Sequence, residues 1–148
     1  MDIDKLYLRK IVIDALEEDI GDRDITVELT IPTDLKGKGR FIAKEDGVLA
    51  GFFMAKEVMN FLDPDAHVIQ HIPDGESFKK GDVIGEIVGN FSGLLSGERT
   101  MLNFIQHLSG VATKTNNFVK IISCTSAKLL DTRKTTPCLR TLEKYAVK

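Results

Sequence analysis

The apolar stretch Ala127-Lys128-Leu129-Leu130 runs straight into Asp131-Thr132-Arg133-Lys134-Thr135-Thr136-Pro137. Read as a buried strand entering a sharp turn, with helical patterns on both sides, it gives the order helix, strand, loop, helix. That order begins an α/β unit and does not end one. The chain reaches Lys148 barely one helix later. The expectation is therefore an α/β barrel that is incomplete within these residues and cut from a longer polypeptide. Its strand edges and apolar helix faces would stay uncovered.

Side chains at the C-terminal ends of barrel strands are where chemistry sits. Arg133 suits bidentate carboxylate or phosphate binding, whereas Lys134 acts as a movable point charge. Thr132, Thr135 and Thr136 add hydroxyls and backbone donors beside them. The residues alone leave two readings open: a solvated charge pair, or an anion site.

Composition narrows the partners. The chain is 43% hydrophobic and 28% charged, the balance of a globular protein with its own core. A net charge of −2 and a pI near 5.9 argue against a nucleic-acid footprint, which needs a basic face or stripe. No apolar run approaches the ~20 residues of a membrane span. The N-terminus lacks the plan of a secretion signal. Two cysteines, Cys124 and Cys138, form neither a disulfide framework nor a C-x-x-C redox pair. A cytoplasmic protein is expected.

Upstream of the cationic run the periodicities are mixed. Leu8, Ile11, Val12, Ala15 and Leu16 recur at helical spacing across residues 5–19, and Gly21 is a stop. Residues 22–39 read as loop with one short strand. Two strands flank Glu45-Asp46-Gly47, and a short helix over 55–62 closes at Asp63-Pro64. Strands at 67–72, 76–79 and 82–88 are separated by Pro73-Asp74-Gly75 and Lys80-Gly81. Residues 94–109 form a helix that stops at Gly110, and a second helix covers 113–122. The predicted architecture is an α+β, barrel-sandwich-like sheet domain over 1–110 that includes the long helix, then the start of an α/β barrel over 111–148.

On the 94–109 helix, Leu94, Leu95, Met101, Leu102, Ile105 and Leu108 make one broad stripe that contains Glu98, with Arg99 just beyond its edge. A carboxylate on an apolar face needs a partner. Glu98 therefore either accepts hydrogen bonds from a nearby loop or, with Arg99, faces another subunit or an anion. His67 and His71 share one strand face without an evident third metal ligand. His107 lies opposite the apolar stripe, solvated or at an interface. Residues 73–87 resemble half of the sandwich of lipoyl and biotinyl carriers, but no lysine sits at the hairpin position those carriers modify.

Four motifs, in order, resemble one family. They are Ala15-Leu16-Glu17-Glu18-Asp19 with Gly21-Asp22; Lys44-Glu45-Asp46-Gly47-Val48-Leu49-Ala50-Gly51, similar to an early hairpin; Glu98 to Thr113, similar to a long helix; and Leu130 to Arg140 running into Leu142-Glu143-Lys144-Tyr145-Ala146-Val147. Together they resemble the quinolinate phosphoribosyltransferases across essentially the whole chain.

The resemblance implies transfer of phosphoribosyl from phosphoribosyl pyrophosphate to quinolinate with decarboxylation, giving nicotinate mononucleotide, pyrophosphate and carbon dioxide. Magnesium would accompany the pyrophosphate, with its protein ligands outside these residues. Arg133 would bind a quinolinate carboxylate, and Lys134, the catalytic residue, would lie between quinolinate and the phosphoribosyl group. Thr132 would belong to the same substrate-binding loop. Arg99 would reach the neighbouring subunit's site in a homodimer or higher even oligomer. Arg140 and Lys144 read as structural. Cys138 stands where the family usually has glycine. The family's later His-Arg pair, lysine and acidic residues do not follow Lys148, so the 148 residues alone are expected to be inactive. Alternatives are a molybdate-operon paralogue with another substrate, a nicotinate-specific transferase, or a non-catalytic interaction module.

Overall fold

The computed structural model describes residues 3–21 and 24–148, and Asp22 of the first motif lies outside them. Helix α1, Lys5–Ile20, starts where Asp4 Oδ1 accepts the Leu6 N–H at 2.8 Å. It ends at Gly21, whose φ of 61° is left-handed. Leu8, Ile11, Val12 and Leu16 are its buried face, as their spacing predicts. The stretch read as loop holds a six-residue helix, α2, Ile25–Thr30, capped by Asp24. Strand β1, Lys36–Ile42, follows it.

The next elements are β2, Gly47–Val48; α3, Phe53–Leu62; β3, His67–Gln70; β4, Ser77–Phe78; and β5, Val83–Asn90. The two strands around Glu45-Asp46-Gly47 do not pair with one another, so they form no hairpin. Strand β1 joins an antiparallel sheet of order β1-β5-β3, whereas β2 pairs with β4. The central strand β5 is mostly buried, as a strand with neighbours on both edges should be. Arg40 and Ile69 both lie opposite Glu86 in register, and Glu86 takes Lys38 Nζ at 2.7 Å.

Helix α4, Phe91–Ile122, is one helix of 32 residues, about 48 Å long. The predicted break at Gly110 does not occur. Residues on either side of Gly110 are gripped by strand β2 and the segment after it. Thr113 Oγ1 accepts the Val48 N–H at 2.9 Å, and Ser109 Oγ accepts the Ala50 N–H at 3.1 Å. That packing outweighs the ~1 kcal/mol a glycine costs inside a helix. The core lies between α4 and the remaining elements. It contains Phe52 against Phe41, ring centroids 5.2 Å apart, together with Leu49, Met54, Val58 and Leu108.

The buried face of α4 also differs from the predicted stripe. It runs through Leu94, Gly97, Thr100, Met101, Phe104, Ile105 and Leu108, while Leu95 and Leu102 are half-buried and Glu98 is exposed. Small and polar residues at 96, 97, 100 and 109 conceal this face from a hydrophobicity count. Glu98 therefore meets no burial cost that would demand a partner.

Residues 127–131 do not form the expected strand. They are coil, exposed throughout, with Leu130 82% accessible. A strand exists only through bonds to a neighbour, and no described residue lies alongside in a ladder. The start of a barrel is therefore not visible as a sheet here. Helix α5, Arg140–Val147, closes the chain. It buries Leu142 and Ala146 and packs Tyr145 edge-on against Phe53 at 5.3 Å.

Candidate functional site

From Ser123 to Lys134 every residue is exposed, so burial does not place the cationic loop. Hydrogen bonds and ion pairs do, and most come from α5. Lys144 Nζ lies 3.1 Å from Asp131 Oδ2. Arg140 Nη2 donates to the Arg133 carbonyl at 3.3 Å, and its Nε to Thr135 Oγ1 at 3.4 Å. Both Glu143 oxygens accept the Thr136 N–H, at 3.3 and 3.4 Å. Within the loop the Lys134 N–H donates to Thr132 Oγ1 at 3.1 Å. Thr132, Arg133 and Lys134 are thus brought together on one exposed turn, with Arg140 and Lys144 as supports.

Two residues not singled out for this role complete the support. Tyr7 Oη, from α1, donates to the Cys138 carbonyl at 2.8 Å. His107 Nε2, from α4, lies 2.9 Å from Glu143 Oε1, so this histidine is held by α5. The Glu143 carboxyl is partly desolvated, which raises its pKa. The hydrogen bonds from Thr136 and His107 outweigh that and leave it below the ordinary glutamate range. Cys138 takes a φ of 64° at the loop's base, the conformation glycine accommodates without strain. The only sequence signal for these contacts was the Glu143-Lys144 step beside the loop, because the partners lie 36 and 131 residues away.

Arg99 is placed separately. Its Nε donates to Asp19 Oδ1 at 2.9 Å, joining α4 to the end of α1, and its side chain is 64% exposed. This pair raises the arginine's pKa further and keeps it charged. Among the described residues no hydrogen bond or ion pair links Arg99 to the 131–137 loop. A cleft of about 600 Å³ has walls that include Asp19, which holds Arg99, with Asp14, Glu18, Asn103, His107 and Cys138.

His67 opens β3, which ends at Gln70, so His71 lies just past the strand and not on it as expected. His71 Nε2 is 3.9 Å from Glu86 Oε2. Among the described residues no three His, Cys, Asp or Glu side chains cluster as metal ligands. No described helix is long and apolar enough to cross a membrane.

The fold of this chain is shared with solved structures of nicotinate-nucleotide pyrophosphorylases. The nicotinate-nucleotide pyrophosphorylase from Francisella tularensis superposes with a TM-score of 0.92 at 40% identity, over 99% of this chain and 52% of that one. The family sequence model described as quinolinate phosphoribosyl transferase, N-terminal domain, matches residues 24–109, and the C-terminal domain model matches 111–148. The chain belongs to the quinolinate phosphoribosyl transferase family.

Among curated relatives, a Bacillus subtilis protein named as a probable carboxylating nicotinate-nucleotide pyrophosphorylase is 43% identical over 97% of this chain and 49% of its own length. A mitochondrial decarboxylating quinolinate phosphoribosyltransferase of Nicotiana tabacum is 38% identical over 95% of this chain and 40% of its own. The chain thus spans about half the length of the relatives it matches or less.

Proposed function

We propose that this chain supplies part of the site for carboxylating nicotinate-nucleotide pyrophosphorylase chemistry, a step of pyridine nucleotide and NAD synthesis in the cytoplasm. The observation that carries it is the Arg133–Lys134 pair, two exposed cations on a turn whose backbone is clamped from α5. A dicarboxylate needs fixed positive charge, and a backbone held before the ligand arrives costs less to order on binding.

In this reading Arg133 takes a quinolinate carboxylate and Thr132 shapes the same turn. Lys134 stands between quinolinate and the phosphoribosyl group. The pyridine nitrogen forms a bond to the anomeric carbon as the carbon–oxygen bond to pyrophosphate breaks. Carbon dioxide then leaves, and the ring carbon it vacates takes up a proton. Mg2+ would arrive with the pyrophosphate, and no step is assigned to it through the described residues. Residues 1–110 would act as the sheet domain, and 111–148 as the opening of the domain that holds the reacting groups. Arg99 has its Nε fixed by Asp19, while its Nη atoms make no hydrogen bond among the described residues. It would serve the site of a second subunit in a homodimer or higher even oligomer.

The test is quinolinate binding and product formation in the protein at the length its source makes, with that length established by intact mass. Quinolinate should bind by calorimetry more tightly than nicotinate, and Arg133→Ala should weaken it by roughly tenfold or more, as expected for losing a charged hydrogen bond. Equal affinity for the two pyridines, or an indifferent Arg133→Ala, would sink the proposal.

A further inference from the structure

Of the three α5 side chains that hold the loop, Glu143 is the best shielded. Its side chain is 14% exposed, against 38% for Lys144 and 39% for its partner Asp131. Exposed ion pairs contribute little because water screens them, so the Lys144–Asp131 pair is the weaker restraint. Glu143 also acts on the main chain. The Thr136 N–H it accepts is two residues from Lys134 and three from Arg133. Pro137, next in sequence, has no N–H to offer. Behind Glu143 stands His107, a residue of the helix that packs against α1, α2, α3 and both sheets.

We infer that Glu143 is a positioning residue for the cationic loop, tying the Arg133–Lys134 segment to the rigid α4 helix through His107. Glu143 itself touches no substrate. It sets where the two cations stand, and this assignment rests on the function proposed above. Two registrations define the loop's base: Thr136 on Glu143, and Cys138 on Tyr7. Removing the first leaves the Arg140 and Lys144 contacts, which come from more exposed side chains, to hold twelve exposed residues from Ser123 to Lys134.

The experiment compares Glu143→Ala with Glu143→Gln at native length by amide hydrogen exchange and by quinolinate kinetics. The alanine variant should speed exchange at Thr136 and Lys134 by roughly tenfold, with core amides such as Val58 and Leu108 unchanged. It should raise the quinolinate KM by roughly tenfold while kcat moves far less. Glutamine keeps an acceptor oxygen for Thr136, so it should restore most of both effects.

Unchanged exchange at Thr136 overturns the assignment. So does faster exchange with an unaltered KM, or equal acceleration in the core. If Glu143→Ala unfolds the chain, His107→Ala decides: it should accelerate Thr136 exchange by about threefold, and no effect there overturns the link to α4. A wild-type protein without quinolinate affinity overturns the proposed function alone, since the exchange measurement still shows whether Glu143 holds the loop.

Discussion

From Val48 to Phe52 every residue is buried, and from Ser123 to Lys134 every residue is exposed. The first segment is fixed by what surrounds it. It lies under α4, and a Cβ on Gly51, whose φ is 81°, would strike the Leu108 side chain. The second is fixed by a few polar contacts at one end. Position enforced by packing tolerates almost no change of volume. Position enforced by hydrogen bonds tolerates volume changes and fails when one acceptor is lost. The two regions should therefore respond to mutation in different ways, and the second carries the cations of the proposed function.

The contrast is easiest to break with a matched pair. Phe52→Ala removes a ring 1% exposed and stacked edge-on against Phe41, and should cost about 3–5 kcal/mol in denaturant unfolding. Leu130→Ala truncates a side chain 82% exposed and should stay within ~0.5 kcal/mol. A comparable loss from both would show that residues 127–131 are packed in solution.

A smaller effect is expected where the regions meet. The Asp74 carboxylate accepts the Gly51 N–H at 2.6 Å, the Phe52 N–H at 3.3 Å, Gln70 Nε2 at 2.9 Å and, from α5, Tyr145 Oη at 2.7 Å. Asp74→Asn sets amide hydrogens against these donors and should cost about 2 kcal/mol. Tyr145→Phe should cost about 1 kcal/mol, and in a double-mutant cycle the two should couple. Simple additivity would mean α5 docks without this bond.

The same division explains what could be read in advance. Helices α1, α3 and α5 and the strands near 67–88 were legible because apolar spacing and turn residues mark them locally. The Gly110 break was misplaced because the anchoring acceptors, Ser109 and Thr113, bond to backbone about sixty residues away. The α2 helix was missed because six residues carry too little periodicity. Short apolar runs also mislead: Ala127 to Leu130 has strand composition, but a strand is a pairing, and none exists here among the described residues. At the site, Thr132, Arg133 and Lys134 were named from sequence, whereas Glu143, His107 and Tyr7 were not given their loop-supporting roles. Their function depends on contacts that no spacing rule encodes.

Alkali should loosen the same seam. Burial, and after it the neighbouring Asp74, pushes the Tyr145 hydroxyl well above its ordinary value, and burial raises Tyr7 as well. These are the chain's two tyrosines, and both bridge the C-terminal segment to the rest. Below the ordinary value of about 10 both are protonated in either state, so their contribution is whole. Above it the unfolded chain releases protons that the folded chain retains, so stability falls as pH rises. Tyrosinate absorbance should appear late in the native protein, together with a falling unfolding midpoint. Ionisation of both tyrosines near pH 10 without loss of stability would mean that neither holds the seam.

The smallest expected change is a gain, and it comes from the exposed region. Cys138 holds a φ of 64°, which costs a residue with a Cβ about 1–2 kcal/mol. Glycine would remove that strain, but its greater freedom in the unfolded chain takes back about 0.4–1 kcal/mol. Cys138→Gly should therefore stabilise by about 0.5 kcal/mol. The bond from Tyr7 survives, because it ends on the backbone carbonyl of residue 138 and not on the thiol. A higher unfolding midpoint with unchanged quinolinate affinity would show that the turn's shape comes from its backbone contacts. A loss of stability would mean that the exposed thiol makes a contact of its own, and that the loop's base is packed more like Val48 to Phe52 than like the residues preceding it.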